Sequence, residues 1–287
     1  MKSDETSLNE LKALVEQGAA DRWGSPSKEI AARLEEELAV IEAVGCVNYF
    51  LMVAGLVNAI RSAGGLVGPG RGACGGSAVC YALGVAGVDP IKHGLLFERF
   101  LHRGLKHARS ILIDVDEVGE KVGRGYLEDL FACKYEERKI AVAPQYIEIE
   151  GMGEVGLTRI PELDRIAETL SEIRKGGKKV PDLDGLSDDF KPCEAGKGGI
   201  RYDDDLMLIG QREGKLDPAA SDGMRKALCK RLQDRAEQYK RLFTKERWEQ
   251  LWNAAECLFP KAHCVCTARL YAQMAYLKTY YPLEWTR

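Results

Sequence analysis

Asp114 and Asp116 are, by type and spacing, the residues of this chain best suited to chemistry. They stand two apart in Ile113-Asp114-Val115-Asp116, inside an apolar, β-branched run that predicts a strand. Residues two apart on a strand project to one face, so both carboxylates can offer hard oxygen ligands to a shared pair of divalent cations. Phosphoryl transfer uses such a pair: one ion lowers the pKa of an attacking hydroxyl, and the other neutralises the leaving group. The competing reading is a solvated strand end. Glu148, in the alternating Ile147-Glu148-Ile149-Glu150, presents a further carboxylate from another predicted strand and is the candidate third ligand and base. Upstream lies Val67-Gly68-Pro69-Gly70-Arg71-Gly72-Ala73-Cys74-Gly75-Gly76-Ser77. Its glycines allow close approach to a phosphate, and a helix starting behind it adds N–H donors. The spacing fits neither a P-loop nor a dinucleotide fingerprint. Downstream, Lys261 and His263 in Phe259-Pro260-Lys261-Ala262-His263 combine positive charge with the donors of a helix start. The plainer alternative there is an ordinary cap with an exposed lysine.

Elements must hold these residues in place. Ser7 and Glu10 have the spacing of a capping box, followed by an apolar stripe of Leu8, Leu11, Leu14 and Val15. Gly24-Ser25-Pro26-Ser27 ends that helix and caps the next, which carries Ile30, Leu34, Leu38 and Ile41 at helical spacing. Helix is also predicted over 49–60. A short strand at 66–67, the glycine-rich turn and a helix over 78–85 follow. Further strands are predicted at 110–115 and 145–149, the latter from strict alternation. Residues 175–199 are rich in Gly, Lys, Asp and Pro and read as a linker or mobile loop. The remainder is helical, its last helix running from about 264 to 279. The domain expectation is a helical region 1–62, a sheet-bearing region 63–174 with the carboxylates, a linker 175–200 and a helical region 201–287.

Composition sets the class. The chain has 287 residues, 45% hydrophobic and 30% charged, ordinary for a globular protein with a substantial core. No run approaches a membrane span, and the polar start MKSDETSLNEL is not a secretory signal, so a cytoplasmic protein is expected. Nine cysteines without a CxxC pair read as reduced thiols. A zinc site at His263, Cys264 and Cys266 is disfavoured because ligands so crowded surround one ion poorly. Net charge is −3, yet residues 223–247 hold nine Lys/Arg against three acids, so that segment is +6 and the rest −9. A concentrated basic segment can hold phosphates on an acidic protein; the alternative is a solvated helix face.

Taken together, these motifs resemble the alpha subunit of bacterial DNA polymerase III, the family C replicative polymerase, and they occur in its order. The residues that carry the likeness are Arg33-Leu34-Glu35-Glu36-Glu37-Leu38-Ala39-Val40-Ile41, Val67-Gly68-Pro69-Gly70-Arg71-Gly72, Leu96-Phe97-Glu98-Arg99-Phe100-Leu101, Ile113-Asp114-Val115-Asp116 and Ile147-Glu148-Ile149-Glu150-Gly151. In the helical part they are Ser221-Asp222-Gly223-Met224-Arg225-Lys226-Ala227, Phe259-Pro260-Lys261-Ala262-His263 and the helix running to Tyr281-Pro282. The resemblance implies an α+β fold, a small polymerase-beta-like nucleotidyltransferase palm with a mixed sheet plus a mainly helical fingers-like region. It implies Asp114, Asp116 and Glu148 as catalytic and metal-binding residues around two Mg2+ (or Mn2+) ions. Arg71, Gly72, Gly76, Ser77, Arg225, Lys226, Lys261 and His263 would face the triphosphate, with Arg103, Lys106 or Arg109 supplying a phosphate-binding cation.

The implied reaction is attack of a nucleic-acid 3′-hydroxyl on the alpha phosphate of a nucleoside triphosphate. The implied partners are a DNA primer/template or single-stranded template, nucleotides and replication proteins, with no membrane. Departures from the family pattern are Ala73 for a serine, Tyr146 for a lysine, Glu148 for an aspartate and Lys226 for an arginine, which loses the bidentate fork. Nothing in the sequence resembles the family's phosphoesterase domain, clamp-binding motif or terminal nucleic-acid-binding fold, which favours short products and a primase-like variant. The alternatives are a decayed palm acting as a nucleic-acid or replisome-binding module, and a template-independent tailing enzyme.

Overall fold

The structure is a computed structural model that describes residues 4–134, 140–143, 146–149, 153–186 and 199–286. Three helices come first: α1 (Asp4–Trp23), α2 (Lys28–Ala43) and α3 (Val47–Ser62). Leu8, Leu11, Val15 and Ala19 form the buried stripe of α1, whereas Leu14 faces outward. Ser7 lies inside α1, so it is not the cap its spacing suggested. Ser27 does cap α2, accepting the Ile30 N–H at 3.3 Å. α3 is apolar almost all round, with Tyr49, Phe50, Met52, Val53, Leu56, Val57 and Ile60 buried, as befits a helix at the centre of a core. α2 and α3 would pass together as an apolar span but meet at 116°, and no single helix among the described residues is long and apolar enough to cross a membrane.

The glycine-rich turn follows, containing a 3-10 turn over Cys74–Gly76, and leads into the short α4 (Ala78–Ala82). Then come β1 (Ile111–Val115), α5 (Glu117–Lys134), β2 (Ile140–Ala143), β3 (Tyr146–Ile149), β4 (Gly153–Arg159) and α6 (Pro161–Lys175). The sheet is mixed, in the order β1-β4-β3-β2. β1 and β4 run parallel, with Asp114 beside Thr158, while β4–β3 and β3–β2 are antiparallel. Along β1, Ile111, Ile113 and Val115 are buried while Leu112 and Asp114 alternate to the other face. The buried set joins α1–α5, Val155 and Leu157 in one core, so the first 62 residues and the sheet share a single interior.

The chain ends in α7 (Asp203–Arg212), α8 (Pro218–Cys229), α9 (Gln233–Lys240), α10 (Lys245–Ala254), α11 (Lys261–Tyr280) and α12 (Pro282–Trp285). α7–α10 have their own core around Leu206, Met224, Leu228, Trp248 and Leu251. α6 and α11 pack through Leu163, Ile166, Ile173, Leu270 and Leu277. The described part of the expected linker is docked. Arg269, buried on α11, donates to the carbonyls of Leu183, Asp184 and Leu186, and Lys178 pairs with Glu284 at 2.6 Å.

Candidate active site

Two chain segments flank β1. On one side β4 pairs with it; on the other, the glycine-rich turn makes bridges at Val67–Val115 and Arg71–Leu112, and Gly68 N–H donates to the Asp114 carbonyl at 2.8 Å. The turn thereby delivers Arg71 to Asp114, Nη1 to Oδ1 at 3.2 Å. Gly70 and Gly72 take positive φ values of 113° and 74°, a region that only glycine enters cheaply, so the turn can fold back over the strand. The start of α11 lies on this turn: Gly72 N–H approaches His263 Nδ1 at 3.4 Å, and a Cβ on Gly75 would meet Cys266 Sγ at 2.8 Å. Three segments far apart in sequence thus meet at the carboxyl end of β1.

Electrostatics follow from that packing. Burial pushes the Asp114 carboxyl above its usual range, opposed by the Arg71 guanidinium and His263. Burial, with Arg71 beside it, lowers His263, while the Asp114 carboxylate opposes the shift. With Nδ1 accepting from Gly72, the neutral ring carries its proton on Nε2 and offers one donor. A further carboxylate, Glu162 in the first turn of α6, is close enough that its charge also raises Asp114. Arg159 braces this corner, donating to Asp164 at 2.7 Å and to Glu117 at 3.0 Å.

Several expected residues sit elsewhere. Asp116 lies just past the strand end, where it caps α5: its buried Oδ1 accepts the N–H groups of Gly119 at 2.8 Å and Leu66 at 3.0 Å. One of its oxygens is therefore committed to backbone. Glu148 is set apart by register. It stands opposite Glu154, one residue before Val155, which pairs with Ile111. Glu148 is thus four residues behind Asp114 along the strands and two strands away, about 16 Å at ordinary strand spacings. Its side chain, like that of Tyr146, is outside the described ones, and Glu150 lies outside the described residues.

The phosphate cradle expected at the start of α4 is filled from within. Glu37, fully buried, accepts Ser77 Oγ at 2.7 Å and the N–H groups of Ala78 and Val79 at 2.9 and 3.0 Å. Ser77 is 0% exposed and caps the helix itself, accepting Cys80 N–H at 3.1 Å. Gly76 is needed for packing, since a Cβ there would meet the Leu96 carbonyl oxygen at 2.6 Å. Neither residue lines an open site. Lys261 also turns away from Asp114: its ammonium donates to the His93 and Gly94 carbonyls at 2.6 and 3.2 Å, and its N–H to Asp204 at 2.7 Å.

The basic segment does not form one phosphate-binding stripe either. Arg231, Arg247 and Lys240 pair with Glu256, Glu213 and Glu237. Arg225 turns inward, donating Nε and Nη2 to Asp222 at 3.0 and 2.8 Å and Nη1 to Asp203 at 3.0 Å. Arg109 and Lys226 reach the same Asp222, and Arg99 clamps Asp203 with two bonds. Arg103 and Lys106 are exposed, so among the three candidates Arg109 is the one built into this cluster.

The metal implied by the resemblance can be weighed against the donors present. Asp114, Asp116 and Glu162 are all oxygen ligands, as a hard divalent cation requires. Among the described residues no group of three or more His, Cys, Asp or Glu lies close enough to hold an ion. The three side chains thus share the oxygen chemistry that such an ion takes, while one Asp116 oxygen is already bound to backbone.

Sequence reasoning missed Glu162 because it overlooked β4 and α6. The signal was present: Leu163, Ile166, Leu170 and Ile173 repeat at helical spacing behind Pro161, with Glu162 and Asp164 in the first turn.

The family model of the bacterial DNA polymerase III alpha NTPase domain matches residues 9–152. DNA polymerase III subunit alpha of Mycobacterium tuberculosis is 45% identical over 220 residues, 72% of this chain and 18% of that one. The same subunit of Halalkalibacterium halodurans is 46% identical over 101 residues, 35% of this chain and 9% of that one. An error-prone DNA polymerase of Anaeromyxobacter is 32% identical over 180 residues, 60% of this chain and 15% of that one. The chain thus spans less than a fifth of the length of these curated relatives.

Proposed function

The chain belongs to the bacterial DNA polymerase III alpha family, and on that premise we propose that it is a nucleotidyltransferase, a minimal template-directed DNA polymerase. In this reading the mixed sheet is a polymerase-beta-like palm, and α7–α10 are its fingers-like part. The substrates are nucleoside triphosphates and a DNA primer/template. The observation that carries the reading is the meeting of Asp114, Arg71 and His263, from three separate segments, at one strand end.

Divalent cations held by Asp114 and Asp116 would supply the charge that activates a 3′-hydroxyl and stabilises departing pyrophosphate. The remaining work falls to the protein. Arg71 holds the Asp114 carboxylate and keeps a cation beside the reacting phosphate. His263, neutral, offers its Nε2–H as a donor to a phosphate oxygen. Glu162 takes the role of third carboxylate in place of Glu148, since the α6 start stands beside β1.

Magnesium-dependent extension of a labelled primer tests this. Asp114→Asn with Asp116→Asn, which preserves the α5 cap because an amide oxygen can still accept, should abolish extension without unfolding the protein. Undiminished extension by the double variant refutes the assignment. Products formed without primer mark a primase-like enzyme, and homopolymers formed without template mark a tailing enzyme. A second reading, a palm kept as a nucleic-acid-binding module, is favoured by the commitment of Asp116 Oδ1 to backbone. DNA binding with no extension under any metal would support it.

A further inference from the structure

Three helix ends meet at Gly84, and two of them bring an arginine. Arg22 stands in the last turn of α1 and Arg61 in the last turn of α3, while Gly84 follows the C-cap of α4. Gly84 has a φ of 72°, and a Cβ there would collide with Arg61 Nη1 and meet Arg22 Nη2 at 3.6 Å. Both guanidinium groups thus reach within 4 Å of one point. Arg22 is held over the Tyr81 ring, 4.8 Å from its centroid, an orientation that leaves its N–H edge unused. Neither guanidinium donates a hydrogen bond or forms an ion pair among the described residues. Like charges so close repel each other unless an anion stands between them. Burial pushes Arg61 below its ordinary range; Asp184, exposed, opposes the shift and Arg22 adds to it. One carboxylate against two cations leaves the corner positive. A cation in the last turn suits a helix dipole. That accounts for one arginine at each helix end, but not for their convergence.

We propose that Arg22 and Arg61 form a phosphate-binding site at the end of α4, outside the catalytic corner. A phosphate group carries oxygens on every side and enough negative charge to compensate both guanidinium groups, so it can accept from each at about 2.7–2.9 Å. A carboxylate offers two oxygens and a single charge, which Asp184 already supplies. Two sources present this chemistry: free orthophosphate and the backbone of a nucleic-acid strand. The site adjoins the glycine-rich turn without using any of the residues gathered at Asp114. From Gly84 the chain passes to Gly87, whose N–H donates to the Pro69 carbonyl at 2.9 Å, and a Cβ on Gly70 would meet the Ala86 Cα at 3.8 Å. The site rests on the contacts at Gly84 and not on the polymerase reading.

Orthophosphate is the first probe, titrated into the full chain at constant ionic strength, with affinity read from the rise in melting temperature. Arg22→Gln and Arg61→Gln should each weaken the apparent affinity about threefold or more. Acetate at the same ionic strength should stabilise the native protein and both variants equally. Native phosphate affinity in both variants overturns the proposal and leaves the pair as helix-end charges. Should Arg61→Gln not fold, Arg22→Gln decides by the same threshold. Single-stranded oligothymidylate is the second probe, followed by fluorescence anisotropy. Weakened binding in the same variants assigns the site to a nucleic-acid backbone, whereas unchanged oligonucleotide binding beside weakened orthophosphate binding assigns it to the free ion. Neither probe involves primer extension, so the outcome is separate from that of the Asp114 and Asp116 test.

Discussion

A carboxylate's surroundings, more than its spacing in sequence, decide what it can do here. Asp114 and Asp116 are two apart, yet the first faces a cationic corner while the second spends an oxygen capping α5. The same reasoning separates two glutamates. Glu162 stands where its charge is felt by Asp114, and Glu148 is about 16 Å away by register. Glu162→Gln is therefore expected to lower primer extension about 100-fold, a loss of ~3 kcal/mol of transition-state stabilisation. Glu148→Gln should leave it within about threefold. Single-turnover extension rates of the two variants check this, and the reverse order would restore Glu148 as the third carboxylate.

At the scale of elements, the α4 start shows how an anion site can be consumed by the fold. Burial raises the Glu37 carboxyl, while Arg33 and the donors of Ser77, Ala78 and Val79 oppose the shift. Arg33 also donates to the Gly76 and Leu95 carbonyls, so α2, the glycine-rich turn and the 95–96 segment are tied at one point. Glu37→Ala would leave three buried donors and one arginine without their acceptor. A loss of about 3–5 kcal/mol in urea unfolding is expected. Glu37→Gln, which keeps one acceptor, should cost less. The helical pattern of α2 was legible in sequence, but the identity of Glu37 as the cap of a helix 41 residues away was not.

For the whole molecule, α11 is the shared support. Its start packs on the glycine-rich turn, Asp204 of α7 caps it, and its later turns pack on α6. Asp204 makes that joint sensitive to pH. Burial pushes its carboxyl up to about 6, with Asp203 adding to the shift and the Lys261 N–H and Arg99 opposing it. A raised native pKa means the native state holds the proton more tightly, so this contribution is present below about pH 4 and lost as pH rises through about 6. Asp222 has the opposite sign. Although burial favours its protonated form, His102 and the surrounding cations hold it well below the carboxylate range, so its contribution is present above about pH 4 and is lost progressively as pH falls below that. Melting temperatures of the native protein and Asp204→Asn, compared from pH 4 to 7, should converge at the acidic end, with the variant more stable near neutrality. A constant difference across the range would remove Asp204 from the joint.

By itself the sequence determined the local pieces: the α2 cap at Ser27, the apolar α3, the β1 strand with Asp114 and the long last helix. These follow from periodicity, capping chemistry and side-chain type, which act over a few residues. The family resemblance was equally legible, because ordered motifs survive as letters. What tertiary structure decided was partnership. Ser77 and Arg225 looked available in sequence, but folding brought Glu37 and Asp222 against them, and Glu148 was removed by strand register while Glu162 was brought in. Buried charges must find counterions wherever the chain happens to pass, and that choice depends on contacts spanning 40 to more than 100 residues.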